Sequence, residues 1–221
     1  MGELILSGIV FDMDGVLVDT ERMGQAIWRE AGAMMNCPGP AENYTHFIGR
    51  SWPDSQREMI RLFGEDFPIE EFYRNCHLVA NRRLAEEGVP MKPGVFELLD
   101  FLKERNIPLG VATSTLRDRA MKRLESAGLL PYFRTVTTGD QVEHSKPDPE
   151  IYRKACRSLG LDPATAMAVE DSRNGILSSH GAGMMAVMVP DMIPCTPDLE
   201  ALLFRKFDSL LELRDFLADV L

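Results

Sequence analysis

Apolar residues occupy nearly every position from Leu4 to Phe11, and the run halts at Asp12-Met13-Asp14-Gly15. That is the pattern of a strand buried on both faces of a parallel sheet, and it reads as the central strand. Three similar punctuated runs follow much later, at Pro108 to Ala112, Ala164 to Val169 and Met184 to Val189. Helical periodicity fills the intervals, notably Val95 to Arg105, Leu116 to Ala127 and Pro149 to Leu159, with Gly128 and Gly160 placed as helix stops. Strand alternates with helix, which predicts an α/β layered sheet joined by right-handed crossovers.

The stretch from Glu21 to Val89 breaks the alternation. Its apolar spacing is helical throughout, with interruptions at Gly32, Asn36-Cys37-Pro38, Gly64 and Pro68, and Lys92-Pro93-Gly94 then restarts the strand and helix pattern. The chain is therefore expected to divide into an α/β core, residues 1–19 and 91–221, and an inserted helical domain, residues 20–90.

Composition narrows the classes. Of 221 residues 45% are apolar and 26% charged, ordinary globular usage that excludes a disordered or fibrous chain. Lys and Arg total 24 against 34 Asp and Glu, and the resulting net charge of −10 opposes a phosphate backbone, so no nucleic acid partner is expected. Cys37, Cys76, Cys156 and Cys195 are far apart with no CxxC pair, which fits a reducing, cytoplasmic compartment. The apolar run near the start is too short for a membrane span and carries no cleavage signature, so neither a signal peptide nor a membrane partner is expected.

In open α/β sheets ligands bind beyond the carboxyl ends of the strands, so the polar residues there carry the candidate chemistry. Asp12 and Asp14, two apart on extended chain, start on the same side, and Gly15 permits a sharp turn after them. An Asx turn would explain them equally simply. Thr113-Ser114-Thr115 follows the second run and reads either as an N-cap or as an anion site at a helix start. Lys146, in His144-Ser145-Lys146-Pro147, is by default a solvated lysine. Glu170-Asp171 ends a third run, with Asp171 open to a capping role. Asp12, a main-chain carbonyl near Asp14, and Asp171 would suit Mg²⁺, a hard cation taking oxygen ligands, with Glu170 holding a metal-bound water.

The order of these clusters carries a resemblance. Phe11-Asp12-Met13-Asp14-Gly15-Val16, Val111-Ala112-Thr113-Ser114, Ser145-Lys146-Pro147-Asp148-Pro149 and Val169-Glu170-Asp171-Ser172 match the motifs of the haloacid dehalogenase-like hydrolase superfamily. The chain resembles the branch of phosphoglycolate phosphatase-like and β-phosphoglucomutase-like proteins. This implies a Rossmann-like core with a helical cap domain in residues 20–90, and a Mg²⁺-dependent phosphatase acting on a small phosphorylated metabolite. Asp12 would be the nucleophile that forms an aspartyl-phosphate, and Asp14 the acid and base, its pKa lifted by neighbouring carboxylates. Thr113, Lys146 and the Ser114 amide would hold the phosphoryl oxygens; Asp12, Asp171, the Asp14 carbonyl and Glu170, directly or through water, would hold the metal. Asp12, Asp14, Glu170 and Asp171 carry four negative charges and Lys146 one positive, leaving a net −3 that calls for a cation before phosphate can bind.

One departure bears on the reaction. Mutase-like relatives carry a histidine five residues after the Asp of the Asp19-Thr20 stretch, and Gly24 stands there instead. A sugar phosphomutase and a silent binding protein are thus the alternatives, both disfavoured. Arg50, Trp52, His46, Arg82 and Arg83 are the candidate substrate contacts of the helical insert. Gly181-Ala182-Gly183 is an incomplete dinucleotide motif and reads as a helix stop. The oligomeric state is left open, a monomer being compatible with everything above.

Overall fold

Buried β-branched and small residues build the sheet. Gly8–Phe11 forms β1, with parallel neighbours on both sides: β2 (Leu109–Thr113) and β4 (Ala166–Glu170). The structure, a computed structural model, describes residues 4–48 and 52–221. β3 (Thr135–Thr138), β5 (Met185–Met188) and β6 (Arg205–Lys206) complete an all-parallel, six-stranded sheet of order β3-β2-β1-β4-β5-β6. β1 is therefore interior, as its continuous apolar run requires. β3 and β6 escape the sequence pattern: β3 is three threonines and a valine, and β6 is two exposed cations.

Helices cover both faces. Val10, Ala112 and Ala168 share one face and pack on Ile151, Tyr152, Ala155 and Cys156 of α7 (Glu150–Leu159). Ala186 and Met188 pack on Ile176 of α8 (Arg173–Gly181) and on Leu199 of α9 (Pro197–Glu200). The side chains alternating with these, Ile9, Phe11, Val111, Val169 and Val187, are fully buried on the other face. α5 (Val95–Glu104), α6 (Arg117–Ser126) and α10 (Leu210–Val220) supply the remaining buried leucines, among them Leu99, Leu102, Leu124 and Leu217. Gly160 ends α7 in the left-handed conformation, φ 69°.

The chain divides into two compact units, Met1–Val18 with Met91–Leu221, and Asp19–Pro90. The second holds α1 (Thr20–Met34), α2 (Gly39–Glu42), α3 (Trp52–Phe63) and α4 (Ile69–Glu87), with no strand among the described residues. Trp28 is its centre, with the rings of Tyr44, Phe47 and Phe72 at 5.0, 4.8 and 5.2 Å. Arg82 and Arg83 both pair with Glu30, which ties α4 to α1. His46 lies 3.5 Å from Glu58, Trp52 opens α3, and Arg50 lies outside the described residues. Gly24 is tightly enclosed: a Cβ there would come 2.0 Å from the Tyr44 hydroxyl, which donates to Glu21 Oε2 at 3.0 Å. No described helix is long and apolar enough to cross a membrane.

Candidate active site

The registers of β1, β2 and β4 align their carboxyl ends, and the motif residues converge there. Phe11 pairs with Val111 and Val169, so Asp12, Thr113 and Glu170-Asp171 emerge along one edge. Thr113 and Glu170 are the last residues of their strands rather than the first of the loops. That detail decides where Glu170 points. Two residues beyond Ala168, it shares the face covered by α7, and Tyr152 of that helix donates to Glu170 Oε1 at 2.6 Å.

Lys146 is not a solvated lysine; its side chain is 6% exposed. Nζ donates to Asp12 Oδ1 at 2.6 Å, to Glu170 Oε1 at 2.6 Å and to the Ala112 carbonyl at 3.0 Å, using all three ammonium protons. The Tyr152 ring centroid lies 5.0 Å from the same nitrogen. Burial alone would lower the Lys146 pKa, but the carboxylates of Asp12 and Glu170 hold it above its ordinary value. Asp12 behaves oppositely. Its carboxyl is raised to about 8, chiefly by burial, with Lys146 acting to lower it and Glu170 and Asp14 to raise it.

Glu170 is a fully buried hub. Besides Lys146 and Tyr152 on Oε1, its Oε2 accepts from the Ser172 hydroxyl at 3.1 Å and lies 3.3 Å from the Asp171 amide. Gly175 makes room for it, since a Cβ there would fall 1.8 Å from the Glu170 carboxyl carbon. Gly15 does the same for Asp171: its φ is +84°, and a Cβ would fall 2.1 Å from Asp171 Oδ2. Asp171 does not cap the helix after β4. That place belongs to Ser172, whose hydroxyl accepts from the Gly175 amide at 3.1 Å.

The threonines likewise do not cap. α6 begins after Leu116 without a side-chain cap; Thr113 Oγ1 accepts from the Thr115 amide at 3.1 Å, and Ser114 is exposed. Thr115 Oγ1 donates to Asp14 Oδ2 at 2.7 Å, and Arg123 of α6 pairs with Asp14 Oδ1. Arg123 changes the charge count: among the described residues four carboxylates face two cations, leaving two negative charges where the sequence suggested three. Sequence reasoning missed Arg123 and Tyr152, and took Thr115 only as part of a cap or anion site. Tyr152 was hidden in the apolar face of a helix. Arg123 was one cation among several on α6.

A divalent cation fits this donor set. Asp12, Glu170 and Asp171 offer carboxylate oxygens within 4.8 Å of one another, all buried, with Lys146 the one cation bound to Asp12 and Glu170 among the described residues. Hard oxygen donors with surplus negative charge suit Mg²⁺.

Residues 9–189 match the haloacid dehalogenase-like hydrolase family. The chain belongs to that family. A "Phosphorylated carbohydrates phosphatase" of Thermotoga maritima is 33% identical over 183 residues, covering 81% of this chain and 82% of the relative. Among solved structures, a hydrolase of the same family from Deinococcus radiodurans R1, with bound phosphate and sodium, superposes with a TM-score of 0.81 at 25% identity, covering 99% of this chain and 97% of that one. CbbY from Rhodobacter sphaeroides in complex with phosphate gives 0.76 at 27% identity, over 94% and 96% of the two chains. This hydrolase thus shares sheet and helical insert with proteins that hold phosphate.

Proposed function

We propose that this hydrolase is a phosphatase of small phosphomonoesters, sugar or short-chain phosphates, working through an aspartyl-phosphate on Asp12. The observation that carries the reading is the buried Asp12, paired at 2.6 Å with a lysine that also bonds Glu170, at the carboxyl edge of an interior strand. An Asp12 oxygen attacks phosphorus, the ester oxygen departs, and Asp14 gives that oxygen its proton. Water then bonds to phosphorus and yields a proton to Asp14 as the bond from phosphorus to Asp12 breaks. The sum is ester and water to alcohol and inorganic phosphate. Lys146, Thr113 and the Ser114 amide neutralise and orient the phosphoryl oxygens, since transfer of this kind depends on position and charge more than on covalent chemistry.

Asp12, Asp171 and the Asp14 carbonyl would hold Mg²⁺, with Glu170, whose oxygens already accept from Lys146, Tyr152 and Ser172, assisting from outside. The ion would offset carboxylate charge and polarise the phosphoryl group. Residues 20–90 serve as the cap that chooses the substrate, and the name of the Thermotoga relative favours a phosphorylated carbohydrate. Gly24, standing where mutase-like relatives carry a histidine, favours water over a sugar hydroxyl as acceptor.

Phosphate release from a panel of sugar and short-chain phosphates tests the activity. Asp12→Asn should keep its fold and lose turnover, and wild-type protein quenched in acid during turnover should carry one phosphoryl group on the peptide containing Asp12. Feeding β-glucose 1-phosphate with a trace of the 1,6-bisphosphate separates the alternatives by phosphorus NMR. Rapid glucose 6-phosphate with little free phosphate would make the protein a mutase.

A further inference from the structure

Both carboxylate oxygens of Asp14 are engaged by side chains to which the reaction gives no task. Thr115 Oγ1 donates to Oδ2 at 2.7 Å, and Arg123 donates to Oδ1. Thr115 is anchored in turn, its amide bonded to Thr113 Oγ1 at 3.1 Å. Arg123 belongs to the last turn of α6, away from the sheet edge where the helix begins. Side chains on a helix lean toward its N-terminus, and an arginine is long enough to run back along it to the strand ends. Both members of the pair are mostly buried, at 23% and 24% exposed. A guanidinium is a planar fork of fixed donors, and a lysine would supply only a point charge there.

We infer that Arg123, with Thr115, is a positioning residue that keeps the Asp14 carboxylate oriented to receive the proton of the attacking water. The inference rests on the aspartyl-phosphate reading above. It concerns the second half of the reaction, in which the water oxygen bonds to phosphorus, the bond from phosphorus to Asp12 breaks to restore a carboxylate, and the water proton passes to Asp14. The first half can be made independent of Asp14 by choice of ester. Nitrophenolate leaves without needing a proton, so attack of Asp12 on p-nitrophenyl phosphate asks nothing of the general acid. An Asp14 that has lost one of these holds would then slow only the water step.

Stopped-flow turnover of p-nitrophenyl phosphate in magnesium buffer reads the difference, with a thermal melt confirming that each variant folds. Arg123→Met should lower kcat about tenfold or more, the cost of a slightly misplaced catalytic group. KM should fall with it, so that kcat/KM stays within about twofold, and a burst of nitrophenol should precede the slow phase as phospho-enzyme accumulates. Arg123→Lys should restore part of kcat, and Thr115→Val, which removes the hydrogen bond to Oδ2, should show the same burst and carries the test if Arg123→Met does not fold. The inference is overturned by a kcat within about twofold of wild type, by a faster kcat, or by kcat/KM falling in step with kcat. Wild-type protein that releases no phosphate from any ester would overturn the phosphatase reading and this one together, whereas an active wild type with unchanged variants overturns this one alone.

Discussion

Replacing Lys146 with methionine keeps most of the length of the side chain and removes its charge, and the structure says where the cost falls. Glu170 retains Tyr152 and Ser172 as donors, but among the described residues Lys146 is the only hydrogen-bond donor to the Asp12 carboxylate. Breaking a buried pair on one side costs about 3–5 kcal/mol, a large part of the ~5–15 kcal/mol that holds an ordinary domain folded. The cost should depend on pH in a definite direction. Asp12 has a folded-state pKa of about 8, above the ~4 of an unfolded chain, so its proton favours the native state. The stability it carries is full below the unfolded value and is lost as pH rises through the folded one. Lys146 draws that folded value down, so its removal should destabilise the protein most near about pH 8 and least near about pH 5, where a protonated Asp12 needs no counter-charge. Urea denaturation of wild type and variant in EDTA at both pH values measures the effect. A difference below about 1 kcal/mol at the higher pH, or one of equal size at both, would refute the reasoning.

Magnesium should raise the stability of the wild-type protein by about 2.7 kcal/mol at a hundredfold excess over its Kd, and Asp171→Asn should remove most of that gain; an equal thermal shift in both proteins would move the metal elsewhere. Gly24→Ala should cost about 1–3 kcal/mol through overpacking against the Tyr44 hydroxyl, and less in a Tyr44→Phe background. An equal loss in the two backgrounds would show that the contact is not the cause. Gly175→Ala should lower turnover as well as stability, because the new methyl falls on the Glu170 carboxylate that shares Lys146 with Asp12; full activity in this variant would mean that Glu170 can move without consequence.

The interior strand β1, the parallel sheet and the helical insert were legible in the chain because each rests on local order: a continuous apolar run, punctuation by glycine and proline, and a change of period from two to 3.6. The motif positions were legible for a related reason, since a polar residue that ends an apolar run must lie at a strand end. β3 and β6 were not, because threonines and two exposed cations carry no apolar signal, and their strand form comes only from pairing with β2 and β5. Inside the site the division is similar. Local pattern marked Asp12, Asp14, Thr113, Lys146, Glu170 and Asp171, yet it offered a surface lysine and helix caps as equally simple readings. Burial of Lys146 between Asp12 and Glu170, the Tyr152 hydroxyl on Glu170 and the Arg123 guanidinium on Asp14 were decided by tertiary structure alone. Each joins segments far apart in sequence, and what a side chain meets across such a separation depends on strand register and helix packing, which periodicity within one segment does not encode.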